Sequence, residues 1–443
     1  MNLSGLLRAV RSGIEKLGEY YFASKPQLSM EEFLEREEDE LIAIKVEEGF
    51  EEEPVKSLEP GYVELHRNAG IHAMVIDGSS KIIRCAHANI IIASVAMLST
   101  RGSLVDYPPH LAPRDLGEAY ELFREPFISL QPKVELGEDG WGEIERVFGE
   151  FVRLKSLAGY YYDYGYSTWQ IMDEARLSLE TKGLELALDQ GAKLVLLDGP
   201  LHPLPRILFR KSYKGIAHYV ESYVEVARKR AELFDRAREK GVAVIGLVKR
   251  VSGSFKLYRV PQIRDLLLKV AGKRPSRLSD DQVISLLVHY LVESGRIKAP
   301  ISIVVVGSLR MELDGLAEHV ERNLEGEGKR VSDIEFPQRE LYYAWVPVHP
   351  YVPSRGSVVR FETTHGFYRE RGVKGFLDIL DFVLSLGVNW RKGVPKLLDM
   401  ADMAARRTAR SYFVTFARGV EDVTTLLYET RVELEVEEVG REV

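Results

Sequence analysis

The feature that most constrains the fold is an alternation of short apolar runs with longer stretches of helical apolar spacing. After residue 70, three β-rich runs follow one another: HAMVID at 72–77, KIIRCAH at 81–87 and NIIIASVAML at 89–98. Further runs, KLVLLDG, VAVIGLVKR and ISIVVVG, are separated by patterns typical of helices. Strands that pair antiparallel first and alternate with helices later indicate a mixed sheet flanked by helices in an α/β fold.

The pattern also predicts where individual elements lie. Residues 72–98 are expected to form a three-stranded meander whose first turn is Gly78-Ser79-Ser80. Strands are also expected near 330–336, 341–347 and 357–363. Helices are predicted at about 142–157, 166–190, 216–240, 261–271, 279–294, 310–324, 373–387 and 394–416.

Three segments are distinguished along the chain. Residues 1–60 are predicted to form a helical, acidic N-terminal arm that is more suited to partner contact than to chemistry. Residues 61–418 form the main domain. Residues 419–443 form a C-terminal tail in which apolar and charged residues alternate, so it is expected either to form an edge strand or to stay mobile.

Charge is unevenly distributed in this chain of net charge −7. The segment from Glu31 to Glu53 contains twelve acids against Arg36 and Lys45 and contributes −10, so the rest of the chain sums to +3. An acidic arm beside a locally basic body is compatible with a protein that handles DNA, and a solvated helix face explains the acidic run equally well.

The cysteine content and the apolar runs exclude several classes of protein. The single cysteine, Cys85, rules out an intrachain disulfide and cysteine-based zinc sites. The N-terminus lacks the uninterrupted apolar core of a signal peptide, and the longest apolar runs are too short to span a membrane. A soluble, cytoplasmic protein without a membrane partner is expected.

Three acids occupy positions that call for an explanation. Asp77 and Asp198 each close an apolar run and precede glycine, and Glu180 lies in the helix that leads into the Asp198 strand. Strand ends in open α/β sheets are where active sites gather, and clustered carboxylates favour Mg²⁺ or Mn²⁺. Taken singly, each aspartate is more often a turn residue and Glu180 a solvated helix residue. Together they indicate a two-metal site for phosphoryl transfer.

Basic residues also follow core strands. Lys249 and Arg250 end the strand VIGLV, and Arg360 and Glu362 flank Phe361 on one face of SVVRFE. Lys249, Arg250 and Arg360 are therefore predicted to hold the phosphates of a DNA backbone. For Arg360 and Glu362, a surface ion pair of little consequence is the alternative.

The order of these motifs resembles the archaeal NurA nucleases from about residue 70 to about residue 416. The resemblance rests on VIDGSS, an acid on a helix, LLDGPL, GLVKR, VVRFE and GVPKLLDMADMAAR, in that order. It implies an RNase H-like core and a Mn²⁺-dependent nuclease that acts on DNA from the 5′ end, with single-strand endonuclease activity as a further option. It also implies a symmetric homodimer, associated with the nucleoid, that joins the hexameric ATPase HerA in DNA end resection for double-strand break repair.

The resemblance also assigns residues. It makes Asp77, Glu180 and Asp198 the metal ligands and catalytic acids, and it places Lys249 and Arg360 in the family's basic strand motifs. The family's last motif carries a tyrosine and, eight residues later, a histidine. Val394 and Asp402 stand at these places here, so Asp402 is a candidate fourth ligand. His349, Tyr351 and His365 are alternative sources of the two missing groups.

These assignments lead to three hypotheses of function. The first is phosphodiester hydrolysis of DNA with Mn²⁺, or with Mg²⁺, in which Asp77, Glu180, Asp198 and Lys249 are catalytic. The second, motivated by Val394 and Asp402, is a catalytically weakened adaptor that binds DNA and the ATPase without efficient cleavage. The third is a related nuclease directed at RNA.

Overall fold

The structure is a computed structural model that describes residues 2–23, 71–110, 116–163, 166–202, 216–249, 251, 254–271, 278–293, 308–311, 341–347, 358–389 and 392–439. The helices are α1 (Leu3–Ala23), α2 (Leu116–Phe123), α3 (Glu138–Phe148), α4 (Thr168–Asp189), α5 (Ile216–Glu239), α6 (Pro261–Ala271), α7 (Asp280–Glu293), α8 (His365–Ser385), α9 (Lys396–Val420) and α10 (Tyr428–Val439). The strands are β1 (Ala73–Arg84), β2 (Ala88–Ser99), β3 (Leu104–Tyr107), β4 (Ile128–Pro132), β5 (Val152–Arg153), β6 (Leu194–Asp198), β7 (Ala243–Val248), β8 (Ser308–Met311), β9 (Leu341–Pro347), β10 (Val358–Thr364), β11 (Val388–Asn389) and β12 (Val394–Pro395).

One large mixed sheet organises these elements. Its strand order is β5-β4-β2-β1-β6-β7-β10-β9-β8, and β3 also pairs with β2. The strand β1 is antiparallel to β2 and parallel to β6, and β6 is parallel to β7. An antiparallel unit at one side is thus continued by parallel strands reached through α4 and α5. The predicted mixed sheet flanked by helices in an α/β fold is therefore confirmed.

The predicted turn at residues 78–80 is wrong. Strand β1 runs unbroken from Ala73 to Arg84, Ser79 pairs with Ser94 of β2, and the chain reverses only after Arg84. Gly78 is tolerated inside the strand because an added Cβ would lie 2.7 Å from Glu180 Oε1, so a close neighbour fills the space of the missing side chain. The expected meander is a hairpin of two twelve-residue strands followed by β3 and β4.

The alternation of side chains along β1 sorts its neighbours onto two faces. Even-numbered residues face α4: Ile76 Cγ2 is 3.1 Å from a Cβ placed on Gly183, and Ile82 packs with Ile171 and Met172. Odd-numbered residues face α9, because Ser94, the partner of Ser79, donates to the Ala405 carbonyl at 2.7 Å. The even-numbered and odd-numbered residues of β1 therefore face different helices.

The first helix belongs to the main core and is not an appendage. Leu6, Val10, Ile14 and Leu17 of α1 are buried in the largest hydrophobic cluster, with α3 and α9 as neighbours. The predicted N-terminal helix is thus present, and it packs against the rest of the described fold. Its apolar residues recur every three to four positions, and that spacing buries one complete face. Residues 24–60, which hold the acidic run, lie outside the described residues.

In the described part of the C-terminal segment, residues 428–439 form a helix and not the expected edge strand. Helix α10 spans Tyr428–Val439 and is anchored to the end of β1: the amide of Arg84 donates to Thr430 Oγ1 at 2.8 Å, and the amide of Leu427 donates to the Arg84 carbonyl at 2.9 Å. These contacts favour a helix over the strand that the residue alternation suggested.

Other differences are local. Residues 308–311 form β8, where the start of a helix was expected, and the third helix ends at Phe148 instead of continuing to 157. The predicted strands at 301–307 and 330–336 lie outside the described residues. Among the helices that the structure describes, none is both long enough and apolar enough to span a bilayer.

Candidate metal centre

Three carboxylates from distant parts of the chain meet beside the centre of the sheet. Because β1 and β6 are parallel with Ile76 opposite Leu197, Asp77 and Asp198 stand abreast on neighbouring strands. The third, Asp402, lies in α9, which covers the same face of β1. One oxygen from each carboxylate lies within 4.8 Å of the other two. We call these three residues the carboxylate cluster.

The position of Asp77 differs from the expected strand end. It lies in the middle of β1, whereas Asp198 is the last residue of β6. The two aspartates therefore meet where β6 ends beside the longer strand β1, and only Asp198 stands at a strand end.

Burial and mutual repulsion make the cluster an unfavourable place for three negative charges. Asp77 is 2% exposed, and its Oδ2 atom has no hydrogen-bond partner. Burial and the adjacent carboxylate of Asp198 raise the pKa of Asp77 well above its usual value. A buried carboxylate oxygen without a donor, beside two further carboxylates, fits a divalent cation such as Mn²⁺ or Mg²⁺, which prefers oxygen ligands.

Lys249 is the positive charge that faces the cluster. Its Nζ lies 2.7 Å from Asp198 Oδ2, 3.6 Å from Asp77 Oδ2 and 3.9 Å from Asp402 Oδ1. Burial opposes the charged ammonium group, but Asp198 and Asp77 outweigh that effect and raise the pKa of Lys249. Of the candidate site residues from the sequence, Asp77, Asp198, Asp402 and Lys249 thus lie together.

Glu180 lies on the opposite face of the sheet. Its Oε1 atom packs against Gly78, whose missing side chain points toward α4, whereas Asp77 points toward α9. Glu180 Oε2 accepts a hydrogen bond from Arg230 Nη2 at 3.0 Å, and Oε1 accepts one from Arg176 Nη1 at 3.3 Å. The side chain is buried and is already neutralised by two guanidinium groups, and it is not one of the three acids of the carboxylate cluster.

A buried clamp holds the loop that follows Asp198. The amide of Leu201 donates to Glu362 Oε2 at 2.9 Å, and Arg230 Nη1 donates to the Leu201 carbonyl at 3.2 Å. The loop crosses directly over Gly246, where an added Cβ would lie 2.8 Å from the Leu201 amide nitrogen. Both backbone polar groups of Leu201 are therefore fixed, three residues after a cluster aspartate.

Arg360 is buried, contrary to the predicted role in binding phosphate. Its guanidinium donates to Glu362 Oε1 at 2.8 and 3.0 Å and to Ser254 Oγ at 3.1 Å, and its side chain is 8% exposed. The pair is also not the surface ion pair considered as an alternative. Two charges on one buried face satisfy each other and hold the clamp, so neither reaches solvent.

The remaining candidate residues from the sequence add no contact to the carboxylate cluster among the residues described. Val394 is a buried residue of β12. Arg250, His349 and Tyr351 lie outside the described residues, as does the side chain of His365.

Sequence reasoning missed Arg230 and Gly246. Arg230 stands in the apolar row Val226, Arg230, Phe234 and Ala237 of α5, and a lone arginine in such a row signals a buried ion partner. Gly246 interrupts the apolar run of β7, which indicates a close approach of another backbone.

Solved structures similar to the chain include three NurA proteins. The crystal structure of the NurA nuclease from Sulfolobus solfataricus is 12% identical, with 80% of this chain and 81% of that chain covered and a TM-score of 0.37. A NurA with manganese is 11% identical, with 82% and 90% covered and a TM-score of 0.37. A NurA bound to dAMP and manganese is 12% identical, with 81% and 89% covered and a TM-score of 0.26.

The family assignment rests on the sequence, because these identities and TM-scores are low. Comparison with curated protein sequences yields no match. The sequence profile of the NurA domain, in contrast, matches residues 10–407, which includes every residue of the carboxylate cluster, Lys249 and the buried clamp. The chain therefore belongs to the NurA family.

Proposed function

We propose that this protein is a divalent-metal-dependent deoxyribonuclease whose active site is the carboxylate cluster. The observation that carries the proposal is the convergence of Asp77, Asp198 and Asp402, with carboxylate oxygens within 4.8 Å of one another. Membership of the NurA family supports nuclease chemistry at this site. Among the residues that the structure describes, Lys249 and Arg406 are the cations paired with these three carboxylates.

Each residue of the site has a distinct part in this proposal. Asp77, Asp198 and Asp402 hold the cation, which when bound lowers the pKa of water and stabilises charge on the leaving oxygen. Lys249, whose ammonium group faces the three carboxylates, would bind the scissile phosphate. Phosphate and ammonium attract each other strongly in a site of low exposure.

Glu180 acts in this proposal through the structure of the site and not as a ligand. It holds Arg230, and Arg230 holds the Leu201 carbonyl in the loop after Asp198. Glu362 accepts a hydrogen bond from the amide of the same residue, Leu201. Arg230 and Glu362 bind the loop and Glu180 holds Arg230, so the three are positioning residues for Asp198.

The finer features of the function follow from the family and are proposals for this chain. They are Mn²⁺ as the physiological ion, 5′-to-3′ exonuclease action with endonuclease activity on single strands, a homodimer, and a complex with a HerA-type hexameric ATPase in DNA end resection. The acidic segment from Glu31 to Glu53 is proposed to contact the ATPase. Deletion of this segment alone, which spares α1, should weaken co-purification with the ATPase; unchanged co-purification would exclude the segment from that role.

The primary test is cleavage of a labelled DNA strand by Asp77→Asn with Mn²⁺ present. We expect loss of cleavage by at least two orders of magnitude, because an amide cannot replace a buried charged ligand. Asp139→Asn, an exposed aspartate on α3, is the matched control and should cleave as the wild type does. Cleavage by Asp77→Asn at the wild-type rate would overturn the proposal.

The adaptor hypothesis remains the second candidate, because Val394 is buried and apolar at the place of the family's tyrosine. It predicts DNA binding without cleavage by the wild-type protein. An RNA-directed nuclease predicts preferential cleavage of RNA, and competition between DNA and RNA substrates separates this third reading from the first.

A further inference from the structure

A row of arginines runs away from the carboxylate cluster along α9. Arg406 and Arg410 follow Asp402 at intervals of four residues, so the three side chains lie one above the other on one face of the helix. Arg406 Nε lies 2.9 Å from Asp402 Oδ1, yet 64% of its side chain is exposed. The side chain of Arg410 is 56% exposed. The row thus begins at the cluster and continues over the surface.

Lys81, a residue of strand β1, lies next to this row of arginines. It lies on the same face of β1 as Asp77, and its Nζ is 5.7 Å from the centre of the Phe413 ring of α9. Lys81 Nζ is 3.0 Å from Glu437 Oε1, and Arg410 Nε is 2.8 Å from Glu437 Oε2, so the two cations share one carboxylate of α10. Glu433 of α10 also pairs with Lys81.

The exposed side of α9 near the cluster carries no acid. Between residues 396 and 410, its exposed positions are Lys396, Met400, Met403, Arg406, Arg407 and Arg410. The two acids in this stretch are turned away from solvent: Asp399 is bound by Asn389 and Lys392, and Asp402 belongs to the cluster. Such a surface in a chain of net charge −7 is suited to a polyanion.

We propose that Arg406, Arg407, Arg410 and Lys81, here called the cation row, bind the phosphates of a DNA strand that leads to the carboxylate cluster. Glu433 and Glu437 occupy the far end of the row in the DNA-free protein, and phosphates displace them. The choice of DNA rests on the proposed function, but binding to the row requires neither a metal ion nor cleavage.

The position of α10 explains why its two carboxylates compete effectively with DNA phosphates for the cation row. The helix is anchored to Arg84 through Thr430 and Leu427, so Glu433 and Glu437 stay close to the row. A tethered competitor acts at a high local concentration and lowers the affinity for DNA without any change in the row itself. Removal of its charge should therefore increase DNA binding.

The test measures binding of a fluorescent oligodeoxythymidylate to the full-length protein in EDTA at several salt concentrations. Each phosphate contact to a single strand contributes about 0.7 to the slope of log K against log salt. Arg406→Ala and Arg410→Ala should each weaken binding several-fold and reduce the slope by about 0.7. Glu433→Gln with Glu437→Gln should strengthen binding and steepen the slope, because Lys81 and Arg410 become available to phosphate.

Matched controls come from α5. Arg228 is 47% exposed and pairs with Glu225 on its own helix, so Arg228→Ala and Glu225→Gln make the same chemical changes far from the row. Both should leave the slope unchanged. Glu433→Gln alone, at a side chain 35% exposed, repeats the test if the double variant has a lowered melting temperature.

Two results would overturn the proposal that the cation row binds DNA. The first is a salt slope for Arg406→Ala and Arg410→Ala that matches the slope for Arg228→Ala. The second is weaker DNA binding by a normally folded Glu433→Gln. Neither result bears on cleavage, because the assay contains no metal. Conversely, retention of cleavage by Asp77→Asn would overturn the proposed active site while leaving the binding result intact.

Discussion

Burial decides what each acidic residue of this protein does. Asp77 is buried without a hydrogen bond to its Oδ2 atom, and Glu180 is equally buried but paired with Arg230 and Arg176. A cation can replace the missing partner of Asp77, whereas Glu180 would first have to give up two ion pairs. Both acids were predicted from the sequence to be metal ligands. Asp77 is therefore a candidate ligand, and Glu180 is a positioning residue.

Glu174 should make the stability of the protein depend on pH. Burial raises the pKa of Glu174 to about 7 from an ordinary value of 4.5, despite the opposing charge of Arg153. Between these two values the unfolded chain has lost a proton that the folded protein retains, so the free energy of unfolding falls as the pH rises. Above pH 7 the full cost of ionising the buried group is present.

Replacement of this residue gives the corresponding prediction. Glu174→Gln keeps an acceptor for the Leu157 amide and the Tyr162 hydroxyl but cannot ionise. Relative to wild type, its stability should improve by up to about 1.4 kcal/mol per pH unit between pH 4.5 and 7. Urea unfolding across this range measures the difference, with the exposed Glu150→Gln as control. Parallel curves for Glu174→Gln and wild type would contradict the assignment.

At the scale of elements, the site depends on a loop laid over a strand. Gly246→Ala would place a methyl group 2.8 Å from the Leu201 amide nitrogen and 2.9 Å from the Gly199 carbonyl oxygen. Both are backbone atoms, so the loop after Asp198 must move. We expect a loss of about 1–3 kcal/mol in stability and weaker metal binding.

A glycine in open space is the control for this substitution. Gly142 of α3 has nothing within 4 Å of an added Cβ, and Gly142→Ala should raise the stability by up to about 1 kcal/mol. Chemical denaturation of the two variants measures both effects. Equal stabilities for Gly246→Ala and Gly142→Ala would show that the loop does not lie against Gly246.

The first helix provides a second prediction at this scale. Ile14 of α1 is fully buried in the main core, so Ile14→Ala should cost about 2–5 kcal/mol of stability. Ser12→Ala, an exposed site on the same helix, should change the stability by no more than about 0.5 kcal/mol. A small effect of Ile14→Ala on thermal unfolding would mean that α1 is the separate appendage that the sequence suggested.

The sequence alone was sufficient to predict those strands and helices whose formation depends mainly on their own residues. The strands β6 and β7 and the helices α4 to α7 are apolar or amphipathic runs with clear ends, and they were predicted within a few residues. The continuation of β1 through Gly78 depends on Glu180, and the helix α10 depends on contacts with Arg84. Neither contact is visible from local sequence.

At the scale of the whole molecule, the centre is built by long-range pairing. The sequence identified Asp77, Asp198 and Lys249 because each follows an apolar run, and the parallel register of β1, β6 and β7 aligns them on one face. The faces of Glu180 and Arg360 could not be predicted, because they depend on which helices cover each side of the sheet. Glu180 and Arg360 instead hold Arg230 and Glu362, the two residues of the buried clamp.

The most direct test of the account is a calorimetric titration of Mn²⁺ into the wild-type protein, Asp198→Asn and Asp402→Asn. The wild type should bind the ion, and each variant should lose at least tenfold in affinity, because each removes one carboxylate of the cluster. Asp139→Asn should bind as the wild type does. Absence of binding by the wild type, or undiminished binding by both cluster variants, would contradict the account.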